Sequence, residues 1–194
     1  MNILRLVVVG LEAVILGTIP SIATAQLSTR SGFELGGQFS RYSYEEPVIQ
    51  MELKGNKVGL TGAYTLTGNL WFAKADIRYA YGKLDYGQPW SGTMKSVPDT
   101  NTEIRIVGGR DFFPGRDISL SPYVGWGYRY LKNDLRGQSS TGAVGYRRYS
   151  EYWYVPVGVT SRISVNDGWI IVPTFEYDYF MKGKQRSKFT DTNL

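Results

Sequence analysis

The sequence predicts an all-β protein, an antiparallel up-and-down barrel that crosses a membrane with its strands, and three observations carry that prediction. First, residues 120–131, LSPYVGWGYRYL, separate by alternation into an apolar set (Leu120, Pro122, Val124, Trp126, Tyr128, Tyr130) and a small or polar set (Ser121, Tyr123, Gly125, Gly127, Arg129). Side chains alternate faces with period two along a strand, so this is one strand with one greasy face. It is long enough to cross a bilayer when tilted, which takes ~9–11 residues. Second, several other segments repeat the design. Third, the chain holds 15 tyrosines and 23 glycines, a bias that suits aromatic-girdled β structure.

Composition removes several function classes. The 194 residues suit one domain once a leader is set aside. With no cysteine there is neither disulfide nor thiolate chemistry, and with no histidine the commonest general base and metal ligand are missing. The net charge of +5 comes without a Lys/Arg-rich run, so nucleic acid is not an expected partner.

Residues 1–25 read as a secretory signal. Arg5 supplies the positive start, residues 6–19 the apolar stretch, and Ala23-Thr24-Ala25 a cleavage site before Gln26, with Glu12 an unusual carboxylate in the apolar part. An N-terminal membrane anchor is the alternative, but the run falls short of the ~20 apolar residues a spanning helix needs.

Seven strands follow. Residues 32–44 place Phe33, Leu35 and Phe39 opposite Glu34, Gln38, Ser40 and Tyr42. A polar loop is expected through Glu45-Glu46-Pro47 to Asn56. Residues 57–66 set Val58, Leu60, Tyr64 and Leu66 against Lys57, Gly59, Thr61, Ala63 and Thr65, and Thr67-Gly68-Asn69 is a turn. Residues 70–82 alternate most clearly, with Trp71, Ala73, Ala75, Ile77, Tyr79 and Tyr81 on one face and Lys74, Asp76 and Arg78 on the other. A long loop over 83–101 is expected before the fourth strand, 102–112, where Ile104 and Ile106 oppose Glu103, Arg105 and Asp111.

Pro114-Gly115-Arg116-Asp117 turns the chain into the fifth strand, and residues 132–145 form another expected loop. The sixth strand, 146–163, sets Trp153, Val155, Val157 and Val159 against Tyr152, Tyr154, Gly158, Thr160 and Arg162. Asp167-Gly168 is a strong hairpin signal. The seventh, 169–182, sets Trp169, Ile171, Pro173, Phe175, Tyr177 and Tyr179 against Thr174, Glu176, Asp178 and Lys182. Connections thus alternate short and long, the asymmetry of outer-membrane barrels.

Period two does not say which face points outward, and a soluble lipocalin-like binding barrel would reverse the faces. Aromatics at both ends of the apolar face, small residues among the polar set, and the export leader favour lipid outside. The stretches SPYVGWGYRY and YWYVPVGV, within residues 32–182, resemble the small outer-membrane β-barrels of Gram-negative bacteria, the OmpA/OmpX/Opa-like, porin-like group. The resemblance implies a bacterial outer-membrane location, a monomer, and a structural or surface-interaction role. A minor pore for small solutes is an alternative within the class. The group's last strand ends in Phe or Trp, which the terminal KFTDTNL lacks. With bacterial barrels even in strand number, an eighth strand or more is expected beyond residue 194.

The polar face carries the candidate site. Glu34, Asp76, Glu103, Asp111, Glu176 and Asp178 face Lys74, Arg78, Arg105, Arg129 and Arg162. Near-balance of charge in an ~8-stranded interior, which side chains fill, reads as a salt-bridged plug; a gated ion path is the alternative. The short turn after the fourth strand brings Glu103 and Arg129 onto adjacent strands, and they are expected to pair. Glu176 and Asp178 share a face two residues apart, as acid and base can, but no nucleophile or orienting group accompanies them, and no enzyme, cofactor or metal site is expected. Lys132, Arg136, Arg147, Arg148, Lys184, Arg186 and Lys188, with Lys182, gather beyond the strand ends as candidate contacts to lipopolysaccharide phosphates or as solvated loop charge.

Overall fold

The computed structural model describes residues 27–166 and 169–192. The expected leader and the Asp167-Gly168 hairpin tip lie outside the described residues. The rest is one antiparallel up-and-down sheet: β1 (Gly32–Glu46), β2 (Met51–Gly68), β3 (Trp71–Gln88), β4 (Gly92–Arg110), β5 (Ile118–Gln138), β6 (Val144–Asn166), β7 (Trp169–Ile171) and β8 (Thr174–Lys188). A short 3-10 turn, Phe189–Thr192, follows β8.

Each strand through β6 pairs with the next, and β6 carries both β7 and β8 on its far edge. These two are the expected seventh strand, divided at Val172 and Pro173. Proline has no N–H to give a ladder, so the strand breaks where it sits. The Pro173 carbonyl still accepts from the Ser161 amide at 2.9 Å. Among the described residues no backbone pairing joins β1 to β7 or β8, so the sheet is open between its first and last strands.

The expected alternation of short and long connections is overturned. The three loops read as long are residues 47–50, 89–91 and 139–143, while the longest connection, 111–117, is one read as a tight turn. The strands simply continue past the points where the outward apolar set ends. Along β2 the inward side chains run Thr65, Thr61, Lys57, then Leu53 and Met51 with no change of phase; the outward ones run Leu66, Leu60, Val58, then Asn56, Lys54 and Glu52. The polarity of both faces thus inverts on one uninterrupted strand. Leu84, Val97, Leu131 and Leu135 make the same inward switch on β3, β4 and β5 and bury an apolar core near the hairpin tips.

The outward apolar set forms a belt. It covers eleven positions from Trp71 to Tyr81 in β3 and eleven from Leu120 to Tyr130 in β5. Phe33 is 87% exposed and Trp126 52%. Girdle aromatics contact one another on this surface, Trp126 with Trp153 at 4.7 Å and Tyr128 with Trp153 at 4.3 Å between ring centres. The belt ends along two register rows, Arg41–Asn56–Lys83 on β1 to β3 and Thr100–Lys132–Tyr149 on β4 to β6, offset by two residues because Thr100 pairs with Tyr81.

Candidate functional site

The charged residues assigned to the polar face lie on the inner side of the sheet, except Lys182, which a bulge in β8 turns outward opposite Trp153, and register explains the nearest partners. Asp76 sits opposite Arg105, Arg78 opposite Glu103, and Glu103 opposite Arg129. Cross-strand neighbours lie close enough for long side chains to meet. Arg105 Nε donates to Asp76 at 2.9 and 3.2 Å, and Arg129 donates to Glu103 Oε1 at 2.6 Å through Nη2 and 3.2 Å through Nε. Arg78 reaches Asp76 at 3.3 Å and Glu103 at 4.0 Å. The expected Glu103–Arg129 pair is present.

Other contacts need curvature. Arg105 Nη1 meets Glu176 Oε1 at 2.5 Å and Arg129 Nη2 meets Asp178 Oδ2 at 3.1 Å, joining β4 and β5 to β8. Lys74 on β3 reaches past β2 to Glu34 on β1 at 2.6 Å. Twist and coiling bring inner faces of non-neighbouring strands together. Tyr123 donates to Glu176 at 2.7 Å and Tyr154 donates to Glu103. These rings have room because they lie over glycines: a Cβ on Gly127 would strike the Tyr154 ring, and one on Gly158 the Tyr123 ring.

A second group closes the end that holds the 111–117 connection. Asp111, just past β4, accepts from the Thr29 amide at 2.6 Å, Thr29 Oγ1 at 2.8 Å and Ser121 Oγ at 2.6 Å, with Arg162 at 4.0 Å. Ser119 Oγ donates to the Leu27 carbonyl at 2.6 Å, and Ser31 and Thr67 hydroxyls share a hydrogen bond at 2.8 Å. Residues 27–31 therefore run from β5 to β2 along the inner side of that end. Nothing in the strand alternation points to this segment.

A third group was missed. Lys57 and Asp99 form an ion pair at 2% and 1% side-chain exposure, with Asn133 donating to Asp99 and the Lys57 ammonium 4.0 Å from the centre of the Tyr42 ring. Lys57 was legible as a polar-face residue. Asp99 was not, because its segment read as loop; continuing the alternation back from Glu103 and Arg105 reaches it.

The basic residues divide. Lys132, Arg147, Lys182, Lys184, Arg186 and Lys188 share the outward face of β5, β6 and β8, with Tyr149 opposite Arg186 and Glu151 opposite Lys184. Arg136 is taken by Asp134 at 2.7 Å. Arg148 does not belong to this surface: it has the opposite phase to Arg147 and points inward, where Nη1 lies 3.7 Å from Met51 Sδ on β2. Its place among outward phosphate contacts is corrected accordingly.

Arg147 ties down the terminal turn through Asp191, with Nε and Nη2 both at 2.7 Å from the carboxylate and its amide at 3.3 Å. These hydrogen bonds hold the Asp191 carboxyl far below the ordinary range. A depressed folded value means the tether contributes fully above the unfolded pKa of ~3.9 and is lost only as pH falls through the lower folded one. Amide exchange at Arg147 is therefore expected to stay slow through pH 4 and accelerate only at more acid pH, whereas Asp191→Ala accelerates it at neutral pH. Acceleration centred on the ordinary aspartate value would show that the tether does not form.

Among the described residues no cluster of His, Cys, Asp or Glu could hold a metal ion. Neither a family model, nor a curated protein, nor a solved structure matches this chain.

Proposed function

We propose that the chain is a small β-barrel protein of a bacterial outer membrane, of the OmpA/OmpX/Opa-like kind, with a structural or surface-interaction role and an interior that works as a plug. One observation carries the reading: a belt of exposed apolar side chains about eleven residues tall surrounds an ion-paired interior. At ~3.3 Å per residue and a tilt of ~40°, such a belt spans roughly 25 Å, the height of the lipid-facing band of membrane barrels. A lipocalin-like barrel in water would bury the apolar set and expose the charges. The distribution here is the reverse, which supports lipid outside.

The interior supports a plug rather than a pore. Cations and carboxylates reach across it and satisfy one another, and residues 27–31 line one end. Outside the belt, the row through Lys132, Lys184, Arg186 and Lys188 lies where lipopolysaccharide phosphates would meet it, with charge-assisted hydrogen bonds as the attraction. In this reading residues 1–25 direct export and are removed before Gln26.

The test is fractionation of the expressed chain. It is expected in the outer membrane, beginning at Gln26, with different gel mobility before and after boiling, and to give no steady single-channel conductance in planar bilayers. Recovery in the periplasmic supernatant with identical mobilities would overturn the membrane assignment. Steady conductance would replace the plug by a pore.

A further inference from the structure

Beyond the belt, where the inner face turns apolar, the three hairpin ends line a half-open cavity of about 250 Å³. Ile49, Met51, Met94 and Leu135 supply apolar walls from the first turn and from β2, β4 and β5. Arg148 and Tyr146 supply a polar wall from β6. That is ample room for a small organic molecule, since a single water needs only ~10–15 Å³ of such space.

Among the described residues the cation in this wall has no counter-ion. Arg148 contacts Met51 Sδ and hydrogen-bonds with Tyr146, but among the described residues no carboxylate forms an ion pair with it. Its Nε is buried with no hydrogen-bond partner. The interior cations nearer the belt behave otherwise: Lys57, Arg105 and Arg129 each meet a carboxylate. Arg148 is half-buried, and a guanidinium turned inward beside apolar walls gains a charge-assisted contact when an anion joins it there. Burial alone would push the Tyr146 hydroxyl up, yet the hydrogen bond and charge of Arg148 bring it below the ordinary tyrosine value. The field of this cation is therefore felt inside the cavity.

We propose that the cavity is a binding site for a small amphiphilic monoanion, a carboxylate on a short apolar body. The carboxylate pairs with the Arg148 guanidinium, and the body lies against Ile49, Met51, Met94 and Leu135. A carboxylate matches the planar donors of arginine, and its single negative charge balances the single positive charge of Arg148. A phosphate dianion would bring a surplus charge among apolar walls. The two methionines adapt to bodies of different outline. The site stands on the hairpin end alone and does not depend on what surrounds the belt.

The probe is 4-fluorobenzoate, followed by fluorine NMR with the protein in lipid nanodiscs and empty nanodiscs as blank. Saturable binding is expected, with the neutral 4-fluorobenzamide at least about tenfold weaker for want of the charge-assisted contact. Arg148→Gln should remove the preference for the anion, and Arg148→Lys should keep part of it. Met94→Trp should block both probes by filling the space while leaving Arg148 in place. Equal binding of benzoate and benzamide, or unchanged benzoate binding in both Arg148→Gln and Met94→Trp, would overturn the proposal. So would no saturation in the wild-type protein. Gel mobility before and after boiling reports whether each variant is folded, and failure of the outer-membrane reading would appear in fractionation, not in this titration.

Discussion

Arginine in place of Val157 is expected to destabilise the protein in a bilayer by roughly 2–4 kcal/mol, the cost of a cation on the lipid face near the midplane of a membrane barrel. Val157 faces outward at 49% exposure, between Val124 on β5 and Tyr177 on β8 in register. Its surroundings are therefore apolar on both sides, and an arginine there has no carboxylate to meet. The informative control is Tyr149→Arg, also outward on β6 but level with Lys132 and Arg186. Near the interface the same cation costs only ~0–1 kcal/mol. Gly127→Arg should fail for a different reason, since even a Cβ there strikes the Tyr154 ring. Urea-driven unfolding from lipid vesicles measures all three. If Val157→Arg is as stable as wild type while Tyr149→Arg is not, the belt does not face lipid where it is placed.

Removing the Glu103 carboxylate is expected to cost about 3–5 kcal/mol, the range for breaking a buried ion pair from one side. Glu103 is 3% exposed and serves Arg129, Arg78 and the Tyr154 hydroxyl together. In Glu103→Ala these groups keep their burial and lose their acceptor. Asp178 still holds Arg129 at 3.1 Å and Asp76 still holds Arg78 at 3.3 Å, which sets the loss below that of isolated cations. Arg129→Met in the same background should recover part of the stability, because it removes the stranded charge and fills similar volume. A double-mutant cycle should return a coupling of roughly 0.5–3 kcal/mol. Coupling indistinguishable from zero would mean that the contact, though short, does not hold the interior together.

How much of this was legible before folding differs between elements. Alternation put Trp126 and Val157 on one face and Glu103 and Arg129 on the other, the aromatic ends of the apolar face favoured turning it outward, and a turn between adjacent strands put the last two in register. Extending the same parity from Trp153 would also have turned Arg148 inward. Arg148 was grouped with Arg147 instead because both stand at the start of that strand, before its outward apolar set begins at Trp153, and residues 45–56, 83–101 and 132–145 read as loop for want of the same set. The signal taken for a strand was the outward apolar set, and it stops at the belt. Beyond it, Met51, Leu53, Leu84, Val97 and Leu131 carry the strands onward from the inside, so a polar outer face there is not an end of structure. Asp99 disappeared into the same gap and took the Lys57 pair with it.

The sequence by itself determined the all-β class, the two faces and the inward set of charges, because alternation is a local property of an extended backbone and needs no knowledge of the rest of the chain. Only the tertiary structure decided which of those charges meet across the interior. Arg105 finds Glu176, Arg129 finds Asp178, and Arg148 finds Met51 but, among the described residues, no carboxylate. Those meetings depend on how far the sheet curls, and curl accumulates from twist over many strands, so no single stretch of residues encodes it.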